Sequence, residues 1–256
     1  MRNTFAAAVA LLLAATAASS AADVGSSAHF KAAPAAAVYS WTGFYVGGNV
    51  GGGMASTRFD DPCFYCTSAT PTTGFFTGGA QVGYNYQFGR GLVGIEADVN
   101  GNSRFKGALL GGNDSRAINV GLKADTSGTI RARAGLVVDT VLAYVTAGAA
   151  WADVRQTGVE FFNFTPFPNF GSPTGVTANG SGVVWGGVVG IGVEYALDQN
   201  WIVGGEFLHT MYGDRDATIR AIDGTSACTN KPDAGCVIRT QLTTDVARVR
   251  FSYKFQ

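Results

Sequence analysis

Near the end of the chain, Ala247, Val249, Phe251, Tyr253 and Phe255 alternate with Val246, Arg248, Arg250, Ser252 and Lys254. A period of two is the signature of a strand with unlike faces. Here one face is apolar and ends in aromatics, while the other is largely charged. A soluble barrel turns its apolar face inward, whereas a barrel in lipid turns it outward and keeps a polar interior. Seven earlier segments repeat the pattern. The first sets Phe44, Val46 and Val50 against Tyr45, Gly47 and Asn49, and the second sets Val82, Tyr84, Tyr86 and Phe88 against Gln81, Gly83, Asn85 and Gln87. The third opposes Val93, Ile95, Ala97 and Val99 to Gly94, Glu96, Asp98 and Asn100, and the fourth Ile130, Ala132, Ala134 and Leu136 to Arg131, Arg133 and Gly135. The fifth, residues 141–153, is small or apolar on both faces; Ala143, Val145, Ala147, Ala149 and Trp151 are assigned outward. The sixth turns Trp185, Val189, Ile191, Val193 and Tyr195 away from Glu194, and the seventh turns Trp201, Val203, Phe207 and Met211 away from Glu206.

The connections alternate as well. Gly89-Arg90-Gly91, Asp139-Thr140 and Asp198-Gln199-Asn200 are hairpin-sized and rich in turn formers. The other four connections, near residues 53–73, 103–126, 154–182 and 213–242, are long. Short turns at one end and long loops at the other describe a transmembrane barrel, and an open sheet would leave unpaired edges in hydrocarbon. The pattern therefore predicts an all-β fold, an eight-stranded antiparallel transmembrane β-barrel with short periplasmic turns and four long outer loops.

The amino terminus agrees with export. A basic start at Arg2, an apolar run from Phe5 to Ala18 and small residues at Ser20, Ala21 and Ala22 read as a signal peptide over residues 1–22. A periplasmic leader is expected over 23–40 and the barrel over 41–256. Glycine makes up 36 of 256 residues, about twice its usual share of roughly 7 %. Formal net charge is zero, so nothing electrostatic argues for nucleic acid as a partner.

Trp41-Thr42-Gly43-Phe44-Tyr45-Val46-Gly47-Gly48-Asn49, Gly83-Tyr84-Asn85-Tyr86-Gln87 and the closing Val249-Arg250-Phe251-Ser252-Tyr253-Lys254-Phe255 resemble the small alphaproteobacterial outer-membrane proteins. These carry a porin-like, OmpA-like eight-stranded barrel. The resemblance implies a place in the bacterial outer membrane among outer-membrane lipid and lipopolysaccharide. It also implies insertion by the barrel-assembly machinery, which reads a final aromatic strand, here Phe251, Tyr253 and Phe255, with Gln256 following. No sequence is left for the soluble peptidoglycan-binding domain of larger relatives.

Strand parity places Glu96, Asp98, Glu194 and Glu206 inside with Arg131, Arg133, Arg248, Arg250 and Lys254. Four acids face five bases, and near-balanced buried charges satisfy one another. Eight strands leave a bore that side chains can fill, so a plugged barrel with a lumen ion network is expected. Glu96 and Asp98, on one strand face, could alternatively serve as a carboxylate pair for acid/base work. The nearby arginines would hold both ionised, however, whereas a general acid needs a raised pKa. Of the two histidines, His29 lies in the leader and His209 on the lipid-facing parity. No catalytic, cofactor or metal site is therefore read.

Cys63, Cys66, Cys228 and Cys236 lie in loops, and an oxidising compartment favours disulfides over a zinc site there. The local pairing, Cys63 with Cys66 and Cys228 with Cys236, is preferred; a staple between the two loops stays open. The third loop carries Phe161, Phe162, Phe164, Phe167 and Phe170, read first as girdle or mouth cover and second as a binding surface. The expected function is structural: envelope integrity, loops presented outward, no enzyme, and at most a weak homo-oligomer. A narrow porin and a loop-borne receptor or adhesin are the alternatives, with an outer-membrane hydrolase last.

Overall fold

The computed structural model describes residues 39–61, 67–70, 72–103, 108–112, 116–162, 175–218, 220–221 and 237–255. Its regular elements there are strands: β1 (Gly43–Asp61), β2 (Thr67–Ala69), β3 (Thr72–Phe88), β4 (Gly91–Asn102), β5 (Ala108–Gly112), β6 (Arg116–Val138), β7 (Val141–Phe162), β8 (Gly175–Ala196), β9 (Trp201–Tyr212), β10 (Arg215–Thr218), β11 (Arg220–Ala221) and β12 (Val237–Lys254). Eight of them form the wall in the order β1-β3-β4-β6-β7-β8-β9-β12, each antiparallel to its neighbour. β12 then pairs with β1 from Tyr45↔Lys254 to Asp60↔Arg239. That seam closes the barrel, leaving none of the eight wall strands as a free edge in lipid.

The stagger follows from the register. From Met54 the hydrogen-bonded row passes through Asp245, His209, Val189, Ala147, Ala132, Ile95 and Tyr84 and returns to β1 at Phe44, ten residues lower. Ten residues of shear over eight strands give a tilt of about 40°. The outward row from Phe44 to Met54 then rises through about 25 Å, the height of an outer-membrane apolar band.

Outward positions are apolar and exposed, among them Phe44, Val50, Ile95, Ile130, Leu136, Val145, Ile191 and Val249. Their alternates Tyr45, Asn49, Gln81, Asn85, Glu96, Arg131, Glu194 and Arg250 are buried in the lumen. The assignment of the ambiguous fifth segment holds: Ala143, Val145, Ala147 and Ala149 are exposed, and Leu142, Tyr144, Thr146 and Ala150 are buried. Aromatics ring the periplasmic end, where Trp201 stacks on Phe251 at 4.7 Å and Tyr253 meets Phe255 edge-on. Thus Phe251 and Phe255 of the closing motif face outward, where amphipathic and aromatic rings settle at the membrane interface.

The outer connections differ from the sequence reading. Much of the chain expected as loop is strand: β1 runs on to Asp61, β6 begins at Arg116, and β7 and β8 stay paired out to Phe161↔Gly175. Outside lipid no alternation of apolar residues is demanded, so the pattern fades there. Backbone groups still pair because a ladder satisfies both donors and acceptors. The periplasmic turns match expectation. Asp139 adopts a positive φ of 53°, which Asp tolerates better than most residues. The Asp198 carboxylate accepts from the N–H groups of Asn200 and Trp201 at 2.8 and 2.7 Å, which holds it below the usual range.

Candidate functional site: the lumen ion network

The bore is filled in layers. On the periplasmic side Tyr39, Trp41, Leu92, Val137, Leu142, Tyr144, Ala196 and Ile202 form one apolar cluster. Towards the outside Ala55, Phe75, Ala124, Ala150, Ala152, Val154, Val188, Leu208, Tyr212 and Leu242 form another. Between the two clusters lies the ionic layer. Trp41 is fully buried, with its backbone N–H donating to Gln87 Oε1 at 2.8 Å.

Four carboxylates and four guanidiniums meet in this layer, so its charges balance. Arg131 donates to Glu206 at 2.9 Å, to Asp98 at 3.0 Å and, more closely, to Glu96. Arg133 reaches Glu194 at 2.7 Å and only weakly Glu96, at 3.4 Å. Arg248 bonds Glu206 at 2.7 Å and Asp98 at 3.1 Å. Arg250 lies against Glu96 and Glu206, the latter at 3.1 Å, and Glu194 is 3.5 Å away. Most of these side chains are at most 2 % exposed. Arg131 on β6 meets Glu206 on β9, and Arg248 and Arg250 on β12 meet Asp98 and Glu96 on β4. These pairs join strands that are not neighbours in the sheet, so the guanidiniums cross-brace the bore rather than decorate one wall.

Two tyrosines complete the layer, and parity alone did not single them out. Tyr45 donates to Glu96 at 2.6 Å and accepts from Arg133 at 2.9 Å. Tyr144 donates to Glu206 and accepts from Arg250, both at 3.0 Å, while Arg133 lies 4.2 Å from its ring centroid. Each tyrosine faces an inward glycine across the ladder, Tyr45↔Gly83 and Tyr144↔Gly192. A Cβ on Gly192 would come within 2.8 Å of Tyr144 Cε1, and one on Gly83 would fall on the Tyr45 ring. These glycines therefore make room for aromatic rings laid across the neighbouring strand. Gly192→Val is expected to displace Tyr144 and destabilise the barrel by about 1–3 kcal/mol, whereas valine at the open outward Gly187 should be close to neutral. Guanidinium unfolding of both variants in detergent checks this.

Asp98 is held by Asn100 and Thr129 as well, each at 2.6 Å. Beyond it towards the outside lies a cavity of about 50 Å³ lined by residues including Asp98, Asn100, Thr129, Thr210, Thr244 and Arg248. That is room for one or two waters.

Lys254, expected in the network, stands apart. It lies four residues from Arg250, about 13 Å along the strand. Its ammonium bonds the Ser40 carbonyl and sits 4.5 Å from the Tyr39 ring centroid at the periplasmic mouth. Distance along the strand, not parity, removes it. Glu96 is bonded chiefly by Arg131 and Arg250 and only secondarily by Arg133, since the register sets Glu96 opposite Arg131, as it sets Arg248 opposite Glu206. Cys63, Cys66, Cys228, Cys236 and the phenylalanines at 164, 167 and 170 lie outside the described residues, as do residues 1–38. Among the described residues no cluster of three or more His, Cys, Asp or Glu is arranged to hold a metal ion.

Comparison with known proteins accords with this architecture. The model of the outer membrane protein beta-barrel domain matches residues 5–255. The 31 kDa outer-membrane immunogenic protein of Brucella melitensis biotype 1 is 32 % identical over 197 residues, covering 72 % of this chain and 78 % of the relative. The 25 kDa outer-membrane immunogenic protein of Brucella abortus is 26 % identical over 218 residues, 85 % of this chain and 80 % of that one. The 22 kDa outer membrane protein of Rhizobium leguminosarum bv. viciae is 29 % identical over 186 residues, 72 % and 70 % of the two chains. A closed barrel with an apolar exterior and a charged interior, matched over nearly its whole length by one family model, is an outer-membrane protein and belongs to the outer membrane protein beta-barrel domain family.

Proposed function

We propose that this protein is a structural barrel that contributes to envelope integrity, keeps its lumen shut and carries its outer strands and loops at the cell surface. The observation that supports this reading is the charge-balanced network crossing the bore between two apolar layers. Ions would have to break several buried, mutually satisfied pairs to pass. Enzymatic activity is not part of the proposal. Each of the four lumen carboxylates is engaged by a guanidinium inside the filled bore, which leaves none of them free to reach a substrate. The proposed partners are outer-membrane lipid and lipopolysaccharide, and, during insertion, the barrel-assembly machinery.

The test is conductance of the purified full-length protein in a planar bilayer, paired with detergent sensitivity of a strain lacking it. No steady conductance and a more sensitive strain, restored by the wild-type gene, are expected. Large, stable wild-type channels would overturn the reading in favour of a narrow porin.

A further inference from the structure

Parity placed His209 on the lipid-facing wall, and the fold brings it a partner from 36 residues away. His209 and Asp245 are opposite one another in the β9–β12 ladder, with Nδ1 to Oδ1 at 2.7 Å. Their side chains are 37 % and 44 % exposed on the outer wall. The register sets their depth: Asp245 is one strand and His209 two strands below Met54 in the row that falls to Phe44. They therefore lie about 3 and 6 Å inside an apolar band about 25 Å tall. Asp153 and Arg155 also form an outward pair, at 3.8 Å, but two and four residues beyond Trp151. Ionisable groups inside such a band are expensive and as a rule have a partner and a role.

The pair leaves one ring nitrogen, Nε2, and one carboxylate oxygen, Oδ2, beyond their mutual bond. When both ring nitrogens carry a proton, Nδ1–H stays on Oδ1 and Nε2–H stands as a donor beside the acceptor Oδ2, and such a pair is self-complementary under a two-fold axis, because each histidine then meets the aspartate of the other copy. The flanking wall alternates small outward positions with projecting ones, Met54, Val189, Phe207 and Met211. Outward Gly187, paired with Met211, has open space where a side chain would stand, and outward Ala247 is paired with Phe207. Within a membrane apolar surface alone supplies no drive for association, so the polar pair is what can supply it here.

We propose that His209 and Asp245 form the centre of a two-fold interface with a second copy of this chain, each His209 Nε2 bonding the Asp245 carboxylate across the axis. A lipid at this depth offers chiefly methylene groups, whereas a second copy brings the complementary charge in place. The interface is independent of whether the lumen conducts.

The experiment is sedimentation equilibrium of the full-length protein in density-matched detergent over a range of protein-to-detergent ratios. The wild type should reach a dimer. His209→Ala and Asp245→Asn should each weaken it by about tenfold or more, with heat-modifiable gel migration showing that the barrels remain folded. The exchanged variant His209→Asp with Asp245→His keeps the complementarity and should dimerise within about threefold of wild type. A wild type that stays monomeric at every ratio would overturn the proposal. So would dimers indifferent to both single substitutions, or a monomer that releases bound lipid on His209→Ala.

Discussion

Replacing Arg250 by alanine is expected to destabilise the barrel by about 3–5 kcal/mol, the range for removing one member of a buried ion pair. The reason is what remains. Arg250 is fully buried and engages Glu96, Glu206 and the Tyr144 hydroxyl. Without it the ionic layer carries four carboxylates against three guanidiniums, and a side-chain-sized void lies beside them. Adding Arg248→Ala leaves two acids uncompensated, and water must enter to solvate them. This double variant should lose the heat-resistant fast-migrating form on gels and begin to conduct in planar bilayers. Pairing Arg250→Met with Glu96→Gln removes a charge of each sign and should recover part of the loss. If the bore were open and wet, water would screen these charges and each substitution would cost about 1 kcal/mol or less. Denaturant titration distinguishes the two outcomes.

On the other face of the wall, Ile191→Arg should cost about 2–4 kcal/mol, the penalty for a cation at the bilayer midplane. Ile191 is 61 % exposed to the outside. The register places it three strands from Gly52 along the next row down, near the middle of the apolar band. Val183→Arg, on the same strand and face but eight residues further out, should cost about 0–1 kcal/mol. Refolding into lipid vesicles with denaturant titration measures both. Equal penalties, or a larger one at Val183, would show that the membrane level derived from the stagger is wrong.

Much of this could be read from the chain itself, because a wall between lipid and a polar bore imposes a period of two on every crossing strand. Phe44 against Tyr45, Val82 against Gln81 and Phe251 against Arg250 report which way each side chain points. Gly89-Arg90 and Asp139-Thr140 report where the chain turns. The acids and bases of the lumen, though not their partners, follow from the same parity. Outside the lipid the signal vanishes, which is why the outward extensions of β1, β6, β7 and β8 read as loops.

The pairings were decided by closure. A stagger of ten residues round the wall sets which level of β4 faces which level of β12 across the bore. Arg248 therefore meets Asp98, 150 residues away, and Lys254 meets no lumen carboxylate but the Ser40 carbonyl. Tyr45 and Tyr144 joined the network only because Gly83 and Gly192 stand opposite them. The same stagger puts His209 beside Asp245 inside the apolar band. A one-dimensional alternation encodes the face of each residue, since that depends on its own strand alone. Partner and depth depend on the register of all eight strands at once, so only the closed barrel specifies them.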